Sequence, residues 1–325
     1  MLEVQDLSVS FLTGRGRVAV TRKLNFTIAA GERLGVVGES GCGKSVTGLS
    51  ILRLLPEQNT LMQGRVLMQG QDLVGLPESR MRAIRGRDIA MIFQEPMTAL
   101  DPVFSIGHQI AEAYRCHCPV SPAEARERAV DALARVGIST PARRYDEYPH
   151  QFSGGMRQRV MIAMALICEP KLLIADEPTT ALDVTVQAQI TDLLRELSDR
   201  AGTALMFISH DLGVVAEVCT RMLTMYAGEI VEDGPVDAAL VRPRHPYTSG
   251  LLRSLPRLAK RREALPSIRG RVPSPSEMPT GCRFRERCDH AAPQCSREQV
   301  AQQVEAGHLA RCERAADLHL PGVLN

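Results

Sequence analysis

The stretch Gly38-Glu39-Ser40-Gly41-Cys42-Gly43-Lys44-Ser45 fits the pattern G-x-x-x-x-G-K-[ST] at every fixed position. It follows a compact apolar run, Leu34 to Val37, and precedes Val46 to Leu55, which has helical character and stops at Pro56. Strand, glycine loop and helix in that order begin an α/β unit. The residue types have a chemical reason. Glycines let backbone N–H groups turn inward around phosphates with no Cβ in the way. The start of the following helix adds a favourable partial charge. Lys44 suits the β and γ phosphates of a nucleotide, and Ser45 suits Mg²⁺. Cys42 is expected to contribute its backbone alone.

A second pattern lies downstream. Leu172-Leu173-Ile174-Ala175 is a buried-strand run that delivers two acids, Asp176 and Glu177. A carboxylate suits the hard Mg²⁺ ion, which Asp176 can hold through its water shell. Glu177, one position on, can act as a general base toward a water. Many strands end in acids, so the pattern gains its force from the glycine loop upstream.

The surrounding chain reads as α/β with an inserted helical region. Strands are expected from Glu3 to Phe11, Leu24 to Ile28, Leu205 to Ser209 and Met222 to Met225, with short strands around Gly70. Gly14 to Arg17 reads as a loop. Ile106 to about Leu166 reads as helical, most clearly from Glu124 to Val136, and Val186 to Arg200 is a further helix. Composition shifts near residue 235, which divides the chain into 1–234 and an extension, 235–325. Between Arg242 and Arg271 nine Lys/Arg face one acid, a local charge of +8, and prolines punctuate the stretch. This charge run reads first as a solvated loop face, with a partner subunit or membrane headgroups as the sharper alternative.

Global composition excludes several classes. Lys and Arg number 39 against 37 acids, so no net charge favours nucleic acid. Aromatics are 4% with no Trp, which argues against a base-stacking surface. No run approaches the ~20 apolar residues of a membrane span, and no leader of signal-peptide type is visible, so a cytosolic location is expected. The nine cysteines are then poor disulfide candidates.

Between the two motifs lies Phe152-Ser153-Gly154-Gly155-Met156-Arg157-Gln158-Arg159. A serine and two glycines ahead of a helix make a second anion-binding nest. With this segment, residues from about Leu2 to Gly234 resemble an ATP-binding cassette ATPase. The resemblance implies a P-loop NTPase core with an antiparallel β subdomain and an inserted helical subdomain. It implies that Gln94 contacts Mg²⁺ and faces a transmembrane partner, and that Ala181-Leu182-Asp183 forms the aspartate loop. His210 would contact the γ-phosphate and Phe11 would stack on adenine. Ser153-Gly154-Gly155 would cover the γ-phosphate of ATP held by a second cassette. Met156 stands where the family most often has glutamine, a modest departure.

In the extension, Cys282, Cys288, Cys295 and Cys312 are separated by five, six and sixteen residues. This is not the tight pairing of common zinc sites, and spacing alone leaves zinc, a [4Fe–4S] cluster and free thiols open. The segments Arg244-His245-Pro246-Tyr247-Thr248 and Leu251-Leu252-Arg253-Ser254-Leu255-Pro256 resemble the C-terminal region of dipeptide and oligopeptide importer ATPases. That resemblance implies a [4Fe–4S] cluster on the four cysteines. It also implies a second cassette (a paralogue), two transmembrane permease subunits and an extracytoplasmic substrate-binding protein. The chain would sit peripherally on the cytoplasmic face of the inner membrane, powering import of di- or oligopeptides, with nickel chelates as the neighbouring cargo. The competing reading is a soluble cassette ATPase of nucleic-acid repair or translation. One phosphate loop and no heptad run speak against it.

Overall fold

In the computed structural model every residue is described except 15, 95–98, 181–182, 256–266, 275–276 and 324–325. The chain forms two compact units from discontinuous segments: Met1–Thr27 with Leu34–Val74 and Ser209–Asn325, and Ile28–Arg33 with Gly75–Ile208. Among the described residues no helix is long and apolar enough to cross a membrane.

The first unit begins with an antiparallel sheet. Strand β1 (Leu2–Thr13) lies between β2 (Gly16–Ile28) and β4 (Thr60–Met68), and β5 (Gln71–Asp72) completes the order β2-β1-β4-β5. Of the expected loop at Gly14 to Arg17, Gly16 and Arg17 already belong to β2. Gly16 takes a left-handed φ of +110° and the Thr13 hydroxyl donates to its carbonyl at 2.8 Å. Leu2, Val4, Leu7 and Val9 supply the buried face of β1.

In the same unit β3 (Arg33–Val37) runs parallel to β9 (Arg221–Tyr226), Leu34 opposite Arg221. Strand β9 turns back antiparallel into β10 (Glu229–Pro235), and two short tail strands, β11 (Gln302–Glu305) and β12 (His308–Ala310), extend that sheet through β12 on β10. Helix α1 spans Lys44–Ile51, so it starts inside the glycine motif and ends short of Pro56. The tail is too small to bury enough surface alone; it borrows the core of its neighbours. Tyr226 on β9 meets Tyr247 and Phe284 with ring centroids 4.7 and 5.1 Å away. The buried Glu232 carboxylate accepts from the backbone N–H groups of Arg244 and His245 at 2.8 and 2.9 Å and lies 2.8 Å from His308 Nε2. The described basic residues of the Arg242 to Arg271 stretch are largely committed to tail acids: Arg242 and Arg244 pair with Glu305, and Arg269 with Asp289. Arg257, Lys260, Arg261 and Arg262 lie outside the described residues.

The second unit holds three parallel strands, β6 (Ile89–Ile92), β7 (Leu172–Asp176) and β8 (Ala204–Ile208), with Ile89 opposite Leu172 and Leu172 opposite Ala204. All of β7 and β8 is buried, as apolar parallel strands require. Strand β6 is only four residues long, and its apolar run is too short to separate from a helix fragment by pattern. After α2 (Glu78–Ile84), the helical region resolves into α3 (Ile106–Arg115), α4 (Pro122–Arg135), the single turn α5 (Pro141–Arg144) and α6 (Gly154–Leu166). Ser121 starts α4, its hydroxyl accepting from Glu124 N–H at 3.2 Å, with Pro122 in the first helical position. Helix α7 (Val184–Ala201) follows β7 and ends on Gly202 in the left-handed conformation.

Candidate active site

The phosphate loop lies in the first unit. Gly38, Gly41 and Gly43 take φ of +152°, +78° and +104°, conformations in which a Cβ is strained. At Gly38 a Cβ would also run into the Met225 carbonyl and come within 2.7 Å of the Cys42 sulfur. Gly38→Ala is therefore expected to lower stability by ~1–3 kcal/mol, measurable as a shift in the denaturant midpoint at unchanged slope. Lys44 is buried, and its Nζ donates to the carbonyls of Gly38 at 2.8 Å and Glu39 at 3.2 Å. The ammonium is thus folded over the loop, held by the carbonyls it would partly exchange for phosphate oxygens. Ser40 and Gly41 are exposed at the mouth, and Ser45 is half-buried on the first turn of α1. Cys42 is fully buried, and burial pushes its thiol up, against the pull of Lys44. It is a neutral core group that serves the loop through its backbone, its carbonyl accepting from Gly228 N–H at 2.9 Å.

Also in this unit, Phe11 is half-buried on β1 opposite Thr60. His210 is exposed, one residue before Asp211, whose side chain caps helix α8 (Leu212–Val218) by accepting from Gly213 N–H at 2.8 Å.

The second unit carries the acids. Asp176 is the last residue of β7 and is buried. Glu177 follows with φ of +46°, an uncommon value for a residue with a Cβ. Its N–H donates to Ile208 O at 2.9 Å, which fixes the strand exit. Its Oε2 accepts from Gln94 Nε2 at 3.1 Å and from the Thr180 hydroxyl at 2.9 Å. The structure thus joins Gln94 to Glu177 directly. Thr180 is a participant that sequence reasoning missed; its position three residues after the acid was the available signal.

Ser153 and Asp183 also lie in this unit, each at a helix start. The Ser153 hydroxyl accepts from Met156 N–H at 3.4 Å, and Asp183 Oδ1 from Val186 N–H at 2.9 Å. Gly154 opens α6 with Ser153 exposed before it. At Gly155 a Cβ would stand 2.7 Å from Val186 Cγ1, so the first turns of α6 and α7 meet where only hydrogen fits. Ala181 and Leu182 of the expected aspartate loop lie outside the described residues.

The tail brings its four cysteines to one place. Cys282, Cys288, Cys295 and Cys312 line a single small cavity. Cys282 N–H donates to Cys295 O at 2.9 Å, linking two of them through the backbone. Burial, with the neighbouring thiols adding to it, pushes Cys282 up to about 12 and Cys288 up to about 11, and raises Cys312 as well. Among the described residues no group of three or more His, Cys, Asp or Glu side chains has closed to metal-binding geometry. Cys116 and Cys118, distant in sequence from Cys168, lie close enough to it to help burial push its thiol up to about 11.

Residues 21–180 match the ABC transporter family, and residues 231–295 match the oligopeptide/dipeptide transporter C-terminal region. A Sinorhizobium fredii protein described as "Probable peptide ABC transporter ATP-binding protein y4tR" is 54% identical over 324 residues, 98% of this chain and 96% of that protein. A Brucella abortus protein described as "Putative peptide import ATP-binding protein" is 52% identical over 312 residues, covering 96% and 94%. Among solved structures, the dimeric ATP-binding cassette MJ0796 bound to ADP and Pi is similar with a TM-score of 0.65 and 26% identity, over 73% of this chain and 99% of that one. CbiO1 of Clostridium perfringens, part of the transporter complex cbiONQ, has a TM-score of 0.62 and 27% identity, covering 73% and 89%. The chain belongs to the ABC transporter ATP-binding protein family and carries the C-terminal region of its oligopeptide/dipeptide transporters.

Proposed function

We propose that this chain is the ATP-hydrolysing subunit of a membrane importer of di- or oligopeptides. One observation carries the reading: a complete phosphate loop with a buried Lys44 is joined in one chain to a tail of the oligopeptide type. The names of the relatives support the peptide cargo. Residues 1–234 serve as the nucleotide-binding cassette and 235–325 as its extension.

ATP is held by Gly38 to Ser45, with Phe11 against the base. Ser45, Gln94 and Asp176 hold Mg²⁺, which offsets phosphate charge when bound. Glu177 accepts a proton from the attacking water, positioned by Gln94 and Thr180. His210 contacts the γ-phosphate. Ser153, Gly154, Gly155 and Asp183 act toward a second cassette, a paralogue of this chain, so that closure of the pair is coupled to the ATP between them. Two permease subunits and an extracytoplasmic binding protein complete the assembly, with the chain peripheral on the cytoplasmic face of the inner membrane. The test is isolation of the chain from membranes. It is expected to arrive with integral partners and to consume ATP in a peptide-stimulated manner. A preparation that never carries integral proteins, or neither retains nor consumes ATP, overturns the reading.

The four tail cysteines are assigned to a [4Fe–4S] cluster. Their common cavity and their all-thiol chemistry fit that group, which would tie the tail together at four points. Anaerobically prepared protein is expected to show brown iron–sulfur absorption and bound iron, both lost in Cys288→Ser. Zinc in place of iron overturns the assignment.

A further inference from the structure

Glu39, the second residue of the phosphate loop, has every polar group engaged, and two of the engagements come from the tail. Its carboxylate takes a two-pronged ion pair from Arg287, Nη1 to Oε2 at 2.6 Å and Nη2 to Oε1 at 3.0 Å, across 248 positions of chain. Its N–H donates to the Tyr247 hydroxyl at 2.9 Å. Its carbonyl accepts from Lys44 Nζ at 3.2 Å and from Cys42 N–H at 3.3 Å. Residues beyond 240 thus hold the same loop residue that Lys44 grips.

Arg287 is itself fixed. Its side chain is 5% exposed, its Nε donates to Arg269 O at 2.9 Å, and its guanidinium lies over the Tyr226 ring at 5.6 Å. A guanidinium held on several sides loses little freedom on pairing, and its fork matches a carboxylate. The charge arithmetic gives the pair a purpose beyond stability. A bare carboxylate in a phosphate cradle repels a nucleotide that carries several negative charges. Arg287 cancels that charge where it stands. Tyr247 holds the adjoining peptide, so the loop keeps one shape.

We propose that Arg287 and Tyr247 are positioning residues of the nucleotide site: Arg287 masks the Glu39 carboxylate and Tyr247 fixes its peptide, which makes ATP affinity depend on the docked tail. The inference rests on the ATP reading above and deepens it. The tail is then a working part of the phosphate loop, since Arg287 is also the immediate neighbour of Cys288.

The test is ATP titration of the full transporter complex by calorimetry, with Mg²⁺ chelated so that nothing is hydrolysed. Arg287→Met is expected to weaken ATP binding about tenfold, the scale of one unmasked charge near the phosphates. The double variant Arg287→Met/Glu39→Gln is expected to return to within about threefold of the unmodified complex, because the repelling charge is gone. Arg287→Lys, which keeps the charge, is expected to bind within about threefold and stands in if the Met variant fails to assemble. Tyr247→Phe, which keeps the ring, is expected to lose about threefold. Unchanged affinity in Arg287→Met, or a loss that Glu39→Gln does not relieve, overturns the inference while leaving the ATP reading intact. An unmodified complex that holds no ATP overturns both, and Lys44→Ala marks that baseline.

Discussion

Glu177→Gln is expected to leave ATP binding intact and to reduce turnover by about 10²- to 10⁴-fold, the range lost when a general base is removed. The substitution is nearly isosteric, and its carbonyl oxygen can keep accepting from Gln94 and Thr180, whose donors stand 3.1 and 2.9 Å from the present Oε2. The strand exit is held by the Glu177 backbone on Ile208, which the side chain does not affect. What disappears is the capacity to take a proton. The measurement pairs single-turnover hydrolysis with ATP retention on the assembled complex. Near-normal hydrolysis in properly assembled protein would remove Glu177 from the role of base and leave the proposed Mg²⁺ role of Asp176 untouched.

Lys44→Ala attacks the other half of the chemistry and is expected to abolish measurable ATP binding, a loss of at least about 100-fold. Two charge-assisted hydrogen bonds at ~1.5–3 kcal/mol each set that scale. A second consequence follows from the geometry. The Nζ presently donates to the carbonyls of Gly38 and Glu39, so the variant frees both acceptors and loosens the loop before any nucleotide arrives. Calorimetric titration with ATP reads the affinity, and a thermal melt reads the loop. Binding within threefold of the unmodified chain would place the phosphate elsewhere.

What was legible in the sequence was local. The phosphate loop announces itself because eight adjacent residues carry its geometry, and two of its three left-handed glycines, Gly38 and Gly43, sit at fixed positions of the pattern. Asp176 and Glu177 were readable because the buried strand before them is contiguous and apolar. Ser153 was visible as a serine ahead of a helical run and Asp183 through the family resemblance, and both cap helices. The start of α1 at Lys44 was read two residues late, since a glycine-rich entry hides helix onset. Strand β6 was missed because four apolar residues have no decisive period. The union of Gln94 with Glu177 spans 83 positions, and that of Glu39 with Arg287 spans 248. No local pattern encodes such pairings. Only folding brings the tail back to the loop, and an arginine beside a cysteine gives no hint of its distant acid.

The Glu232 carboxylate makes the extension hard to discard. It is 1% exposed, and all three of its described partners belong to residues after 240. A chain cut at residue 235 would keep this anion without its donors, and would strip β12 from β10 to bare a strand flank open to intermolecular pairing. A shortened cassette of this kind is destined for inclusion bodies rather than for assay, so nucleotide biochemistry on this protein belongs with the uncut polypeptide.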